Sequence, residues 1–274
     1  MSHFDLHSHT TCSDGKLSPR ELIALAVENN ITHLAITDHD TVAAHRQLEN
    51  IDDLGLNLIP GVEFSGQWAK IGIHIVGLNI DINSEVILKA EAHQNKVRLE
   101  RLERIAYKLE KRGFANIMQG ALEEAGGNQV GRPHIARYML KQGMVKSIST
   151  AFDKHLGAGK VGDVSSLWPD IEDTVEWINE AGGVAVIAHP GRYKMTRSKR
   201  IRLIQDFKDC GGSALEVCTG NQPNGMAEDL ANMCEQYDLM ASVGSDFHSP
   251  DYQWVKLGRY PRLPKQCRPV WEAF

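Results

Sequence analysis

Short apolar runs that break off into histidine, aspartate or glutamate recur along this chain, with helical segments between them. Phe4-Asp5-Leu6 leads into His7-Ser8-His9 and then Asp14; the run from His33 to Thr37 leads into Asp38-His39-Asp40; the run from Leu56 to Phe64 carries Pro60-Gly61-Val62-Glu63. Ile71 to Leu78 carries His74 within it, Val184 to Ala188 ends in His189-Pro190-Gly191, and Leu239 to Val243 ends in Gly244-Ser245-Asp246-Phe247-His248. With Ala214 to Val217 these make seven strand candidates. Strands that alternate with helices predict a parallel α/β barrel. The C-terminal strand ends of such a barrel share one face, where barrel enzymes place their sites. Residues more than 200 positions apart would then converge. H-x-H on a strand turns both imidazoles to one side, because side chains alternate with period two, and D-x-H does the same for a carboxylate and an imidazole.

The helical segments carry their own punctuation. Ser18-Pro19-Arg20-Glu21 opens a helix, with serine as cap, proline in the first turn and Glu21 completing a capping box. A helix from about Val42 to Leu54 stops at Gly55, and another is capped by Asp170 and stopped at Gly182-Gly183. From Glu85 to Ala125 the chain is charged and helical, with Val97, Leu102, Ile105 and Leu109 at the spacing of an amphipathic helix. A second helical stretch is expected from Pro133 to Leu156. The predicted organisation is a barrel of residues 1–84 and 164–274, with a helical insertion of residues 85–163 that covers the site.

Composition narrows the setting. A chain of 274 residues suits one domain, or one domain with an insertion, and buries a core without staples. The net charge of -5 gives no overall attraction for nucleic acid, so any phosphate contact must come from a local patch or from metal ions. No apolar run reaches membrane-spanning length, and the N-terminus has no basic-then-apolar signal pattern, so no membrane association is expected. The five cysteines (Cys12, Cys210, Cys218, Cys234, Cys267) are scattered with no C-x-x-C, which fits a reduced, cytoplasmic protein.

The candidate metal ligands are His7, His9, Asp14, His39, Glu63, His74, His189, Asp246 and His248. Nine is too many for one ion, since a tetrahedral site takes about four ligands and an octahedral one about six. With Glu63 as a bridge they suit two to three divalent ions, and mixed imidazole and carboxylate ligation favours Zn, Mn or Fe over Mg or Ca.

The motifs H-S-H-T-T-C-S-D-G, I-T-D-H-D-T, P-G-V-E, A-H-P-G-R and G-S-D-F-H resemble those of the polymerase-and-histidinol-phosphatase (PHP) family, in order and over nearly the whole chain. The segment V-G-R-P-H-I-A-R and the helical insertion are similar to a narrower group of 3′,5′-nucleoside bisphosphate phosphatases and 5′→3′ exoribonucleases. The resemblance implies a distorted (β/α)7 barrel and a three-metal site, with manganese the expected ion and zinc or iron as alternatives. By position it implies His7, His9, Glu63 and Asp246 on the first ion, Glu63, His74 and His189 on the second, and Asp14, His39 and His248 on the third. Arg132 and His134 match the substrate-phosphate contacts of the narrower group, and Arg192 follows the H-P-G turn.

The implied activity is removal of nucleoside 5′-monophosphates from short 5′-phosphorylated RNA, together with release of the 3′-phosphate from 3′,5′-bisphosphonucleosides. Metal ions would lower the pKa of a bridging water, which attacks phosphorus in line. Glu63 serves catalysis as the bridge, Arg132 and Arg192 grip phosphate, and His134 is positioned by its type to protonate the leaving oxygen. The alternatives are a small-metabolite phosphatase of the histidinol-phosphate type and a non-catalytic nucleic-acid-binding module. A monomer is expected.

Other features have blander readings beside sharper ones. His3, His33, His45, His93 and His155 lack partner motifs and read as structural or surface histidines. Gly157-Ala158-Gly159-Lys160-Val161-Gly162 matches G-x-G-x-x-G but follows a helix pattern, so it reads as a loop in which Lys160 could touch a phosphate. Six cations fall between residues 192 and 202, Lys199 and Arg200 among them. They are either a solvated helix face or a steering patch for a polyanion. Cys12 reads as a small packed side chain.

Overall fold

Seven strands hydrogen-bond to one another in chain order. They are β1 (Phe4–Asp5), β2 (His33–Ile36), β3 (Asn57–Trp68), β4 (Ile71–Leu78), β5 (Val184–Ile187), β6 (Ala214–Thr219) and β7 (Met240–Gly244). The computed structural model describes residues 3–49, 53–164 and 167–274. The two ends of the sheet meet, because the Leu6 N–H donates to the Val243 carbonyl at 3.0 Å and Ser8 bridges Phe247 in parallel. The result is a nearly closed barrel. Buried Asp5 fastens the seam, accepting from the backbone N–H groups of Ser245 at 2.8 Å and Gly258 at 2.7 Å.

One strand departs from the expected parallel arrangement. β4 runs antiparallel to both β3 and β5, while all other neighbouring pairs are parallel. β3 extends past Phe64 to Trp68 and returns directly as β4, with Trp68 paired to Ile71. The two linking residues, Ala69 and Lys70, have φ of +47° and +65°. Positive φ at both central positions matches the twist of the flanking strands and makes a two-residue hairpin. Ala-Lys carries none of the Asn-Gly chemistry that announces such a turn, so the reversal has no local sequence signal.

The helices follow the chain as α1 (Pro19–Glu28), α2 (Ala43–Leu48), α3 (Glu85–Glu110), α4 (Ile117–Ala125), α5 (Arg132–Lys141), α6 (Ile148–Ala151), α7 (Ile171–Glu180), α8 (Arg197–Asp209) and α9 (Met226–Tyr237). The α1 capping box forms: Glu21 accepts from the Ser18 N–H at 2.8 Å, and the Glu21 N–H donates back to the Ser18 hydroxyl at 3.4 Å. The described part of the second helix ends at Leu48, and residues 50–52 of the helix expected there lie outside the described residues. The charged stretch expected as one helix from Glu85 to Ala125 is two, divided at Gly113 with φ of +89°. Asp170 stands at the N-cap of α7 but makes no capping bond, and bridges Gln67 of β3 instead. Among the described residues, no helix is long and apolar enough to cross a membrane.

Apolar burial divides between layers. Phe64, Ile75, Phe207 and Val217 belong to a core between the sheet and its outer helices. Leu102, Ile105, Leu109, Ile117, Ile135 and Met139 form a separate cluster within α3–α5. In that cluster Gly120 packs so closely on Tyr138 that an added Cβ would sit 2.1 Å from ring atoms. Gly120→Ala should therefore cost about 1–3 kcal/mol through overpacking, measured by denaturant unfolding. An unchanged midpoint would show that α4 and α5 can slide apart freely.

Candidate active site

The barrel face at the strand ends gathers all nine candidate ligands into one cluster, with the Glu63 carboxylate at the centre of five imidazoles. Glu63 lies in β3 and is fully buried. One of its oxygens, Oε1, stands 2.9 Å from His74 Nδ1 and 3.0 Å from His189 Nε2. The other, Oε2, stands 2.8 Å from His39 Nδ1, 3.3 Å from His9 Nε2 and 3.4 Å from His7 Nε2. Asp246 Oδ1 lies 3.4 Å from His7, 3.3 Å from His9 and 3.5 Å from His248. Asp14 sits on the far side, its oxygens 3.4 Å from His248 and 3.8 Å from His39.

Local backbone explains the convergence. His7 and His9 follow β1, held in line by β7, and Gly244 is spaced so tightly that an added Cβ would meet His7 Cβ at 2.3 Å. His189 and Asp246 adopt φ of +33° and +53°, a conformation that costs energy for a residue with a side chain and that clusters at functional sites. The hairpin brings His74, paired with Ser65, beside Glu63. The other carboxylates of the T-D-H-D motif do positioning work. Asp38 accepts from Thr10 N–H at 2.7 Å and from the Thr10 and Ser13 hydroxyls at 2.5 Å. Asp40 accepts from the Ser65 N–H at 2.6 Å and from Arg98 Nε at 2.6 Å.

The donor set suits divalent cations. His7 Nε2 and His9 Nε2 face each other at 3.1 Å, close enough, with Asp246, for one ion to take a ligand atom from each. His9 Nδ1, His39 Nδ1, Glu63 Oε2, Asp14 Oδ1 and His189 Nδ1 are buried without a well-directed hydrogen-bond partner. Buried polar atoms left in this way are costly unless something else satisfies them. Four overlapping groups could each hold an ion: His9, Asp14, His39 and His248; His7, His9 and Asp246; His7, Glu63 and His189; His39, Glu63 and His74.

The charges of the cluster act strongly on one another. Burial would raise the Glu63 carboxyl, but the charges of His39, His74 and His7 hold it well below the usual carboxylate range. Asp14 is likewise held down against burial by His248 and His39. Burial opposes the charged form of His248, yet Asp14 and Asp246 push it up to about 10. His9 goes the other way, lowered to about 3 by burial and by His248, and so stays a neutral ligand.

Beside the cluster opens a cleft of about 600 Å³ that takes Asp14, His39 and His74 into its wall. Six cations line it: Lys70, Arg98, Arg101, Arg132, Arg192 and Lys194. Arg132 donates to the Leu156 carbonyl at 3.0 Å, and Arg192 bonds Asp246 and, at 2.8 Å, the Gly220 carbonyl. Arg98 and Arg101 are buried, on α3, and the Arg101 guanidinium lies 5.0 Å over the Trp168 ring. His134 is buried in the first turn of α5, and its Nδ1 accepts the Gly131 N–H at 3.0 Å. Burial, then Arg137, lowers His134 to about 4, so its imidazole is neutral at pH 7 with Nε2–H as the donor.

Three expected substrate contacts stand outside the lining of this cleft: Lys160, Lys199 and the buried His134. Lys160 is exposed and stands outside the lining, although its loop neighbour Ala158 belongs to it. Lys199 lies on α8 beyond the Thr196 cap, with Nζ 5.9 Å from the Trp68 ring. Helical winding turns it away from the His189 end, and Arg197 and Arg200 of the same run pair with Asp229. His45, outside the cluster, is buried with Nε2 2.8 Å from the Ile36 carbonyl.

Some participants lay outside the expectations. Glu216 of β6 stands behind the cluster, accepting from His7 Nδ1 at 3.0 Å and from the His189 N–H at 2.5 Å. Its signal was present, a single carboxylate inside the buried strand Ala-Leu-Glu-Val-Cys-Thr. The Tyr193 hydroxyl accepts the His74 N–H at 2.8 Å.

A nearly closed seven-stranded barrel with a His, Asp and Glu cluster beside a cationic cleft defines a class of enzymes that handle phosphate esters. The chain belongs to the PHP domain family, whose model matches residues 5–186. It is 43% identical over 274 residues to the 5′-3′ exoribonuclease Rnm of Escherichia coli K12, covering 99% of this chain and 93% of the relative. It is 39% identical over 280 residues to the 3′,5′-nucleoside bisphosphate phosphatase of Chromobacterium violaceum, covering 99% and 96%. Its fold superposes on a Chromobacterium violaceum structure described as an amidohydrolase with bound sulfate and no metal. That match has a TM-score of 0.91 and 38% identity, covering 99% of this chain and 95% of the other. A Bifidobacterium adolescentis structure, whose description proposes a metal-dependent phosphoesterase, matches with a TM-score of 0.84 and 27% identity, covering 97% and 94%.

The hydrogen bonds that Glu216 accepts fix the tautomer of His7 and the backbone at His189. Partners of this kind change metal affinity about 10–100-fold when removed. Glu216→Ala should weaken Mn binding to the metal-stripped protein by that factor in titration calorimetry. Unaltered affinity would mean that His7 holds its orientation without the carboxylate.

Proposed function

We propose that the chain is a metal-dependent phosphoesterase acting on nucleotides. In this reading it removes 5′-monophosphates stepwise from the 5′ end of short 5′-phosphorylated RNA and releases the 3′-phosphate of 3′,5′-bisphosphonucleosides. The observation that carries the reading is that the ligand cluster and the six-cation cleft share the walls formed by Asp14, His39 and His74. Relatives over nearly the full length support it, one named an exoribonuclease and the other a bisphosphate phosphatase.

The two reactions need one geometry. Each breaks the bond between phosphorus and a ribose 3′-oxygen, with a 5′-phosphate on the same nucleotide available as an anchor. Water supplies the hydroxyl that stays on phosphorus, and the 3′-oxygen leaves with a proton. In the proposed assignment His7, His9, Glu63 and Asp246 hold one ion, Glu63, His74 and His189 a second, and Asp14, His39 and His248 a third. The mixture of imidazole and carboxylate favours manganese, with zinc or iron as alternatives. Such ions supply Lewis-acid polarisation of the phosphoryl group and lower the pKa of an attacking water.

The protein's own groups do the rest. Arg101 and Arg132 fit the 5′-phosphate, because planar guanidinium presents paired donors to phosphate oxygens. Arg98 is occupied by Asp40 and stiffens that wall. Arg192, bonded to Asp246, reaches the scissile phosphate and stabilises charge as it spreads over the equatorial oxygens. His134, neutral in the free protein, donates through Nε2–H, and bound phosphate would raise its pKa towards that of a proton donor. Residues 85–163 act as a helical cover that supplies the anchor side of the cleft. The free cysteines suit a reducing, cytoplasmic setting.

Turnover of 3′,5′-bisphosphoadenosine and of a 5′-phosphorylated trinucleotide with added Mn tests the reading, and no turnover of either would refute it. The anchoring role predicts that a 5′-hydroxyl trinucleotide is hydrolysed at least about 10-fold more slowly, the loss expected for a missing charged contact. Equal rates on the two ends would remove the anchor. His134→Asn keeps an N–H donor but cannot carry a proton. It should flatten the alkaline limb of the kcat profile, and turnover unchanged at every pH would exclude His134 from the reaction.

A further inference from the structure

A second cleft, of about 690 Å³, opens on the other side of the ligand cluster. It shares Asp14, Pro133 and Phe152 with the cationic cleft, and it adds His248, a ligand candidate that does not line the first cleft. The cluster therefore has an open face on each side of the Asp14 carboxylate. A bisphosphonucleoside ends at its scissile phosphate and fills one of these clefts. An RNA chain continues past that phosphate and needs both.

The far rim of the second cleft has an unusual surface. Tyr252 lines it, and Trp254 stacks on Tyr252 with ring centroids 5.2 Å apart and planes 16° from parallel. Both rings face solvent, at 39% and 64% exposure, in a protein whose other tryptophans are at least partly buried. Trp254 keeps most of its surface in water and rests on Tyr252, so burial in the core does not account for the stack. Lys16 and Arg137 also line the cleft. Asp251 occupies Lys16, whereas Arg137 has no carboxylate partner among the described residues and donates to the Asp14 carbonyl at 3.4 Å. A free guanidinium beside the cluster, followed by exposed aromatic faces, is the order in which a single strand presents its next phosphate and then its bases.

We infer that the second cleft holds the part of an RNA substrate 3′ to the scissile phosphate, with Arg137 on the backbone and the Tyr252–Trp254 pair as a stacking platform for downstream bases. The inference rests on the exoribonuclease reading above and adds the surface that separates chain substrates from single nucleotides. Base stacking on aromatic rings is tolerant of sequence, because every base has a flat face, so the platform suits an enzyme that moves along whatever sequence arrives. Each released nucleotide vacates the cationic cleft, and the shortened strand, still stacked, can advance its new 5′-phosphate into it.

The test compares 3′,5′-bisphosphoadenosine with a 5′-phosphorylated hexanucleotide, using the Mn-loaded full chain and its Tyr252→Ala, Trp254→Ala and Trp254→Phe variants. Loss of one stacked base predicts a rise in hexanucleotide KM of roughly 5- to 30-fold in each alanine variant, with Trp254→Phe close to the parent. Bisphosphate kcat/KM should stay within about two-fold throughout, which also reports that the variants fold. Hexanucleotide kinetics indistinguishable from the parent in both alanine variants would overturn the platform. An equal rise in KM for both substrates would overturn it too, since the rings would then act on the first cleft. Failure of the parent to cleave either substrate would instead strike the proposed function itself.

Discussion

A carboxylate with no exposed surface at the centre of five imidazoles is the constraint on which the rest of this molecule depends. Glu63 is fully buried, and His7, His9, His39, His74 and His189 all approach its two oxygens within 3.4 Å. An unpaired buried carboxylate costs several kcal/mol even after relaxation. The chain meets that cost by bringing in imidazoles from four separate segments, and each import explains a feature of the fold. His74 arrives because β4 reverses direction. His7 and His9 arrive because the barrel closes, with Gly244 leaving room for His7. His189 arrives in a left-handed conformation that the backbone would not adopt unaided.

Packing so many imidazoles around a few carboxylates produces ligands of two characters. His9, driven down to about 3, offers a lone pair at any physiological pH. His248, pushed up to about 10 between Asp14 and Asp246, holds a proton that a cation must displace. The acidic cluster and the cationic cleft then stand side by side with opposite preferences, one for metal ions and the other for phosphate. The net charge of -5 conceals this division. A substrate whose charge is concentrated on phosphates is drawn to the cleft by local charge, at short range, while the overall field remains weakly repulsive.

What could be read in the sequence follows from how each residue is encoded. H-x-H carries its geometry locally, because alternation along an extended chain puts the two side chains together, whereas the Asp of D-x-H meets its His through a left-handed residue past the end of β7. The strand ends that bear them were therefore legible, and so was the capping box of α1. The reversal of β4 was not, since Ala69-Lys70 has no glycine or asparagine to mark positive φ. Arg98 and Arg101 carried no motif that singled them out within the charged helical stretch. They continue the buried face through Gln94, one and two turns along, where charge is tolerated because Asp40 and Trp168 receive it. Lys160 and Lys199 stand outside the cleft lining, since adjacency to a motif says nothing about which way a loop or a helix turns.

The pair between Arg98 and Asp40 joins the two halves of the site. Asp40 follows the His39 strand end and steadies β3 through the Ser65 N–H, while Arg98 comes from α3 and also donates to the Val130 carbonyl ahead of α5. Both side chains are nearly or wholly buried, so the pair adds little net stability, whereas losing one partner strands the other's charge at a cost of about 3–5 kcal/mol. An interaction of that kind selects one arrangement over alternatives more than it strengthens the fold. Here the arrangement it selects is the docking of the helical layer on the barrel, which sets Arg101 and Arg132 at a fixed reach from the His and Asp cluster. In the proposed reading the substrate is anchored at one phosphate and attacked at another. The distance between those two events is a property of this buried pair as much as of the residues that touch the substrate.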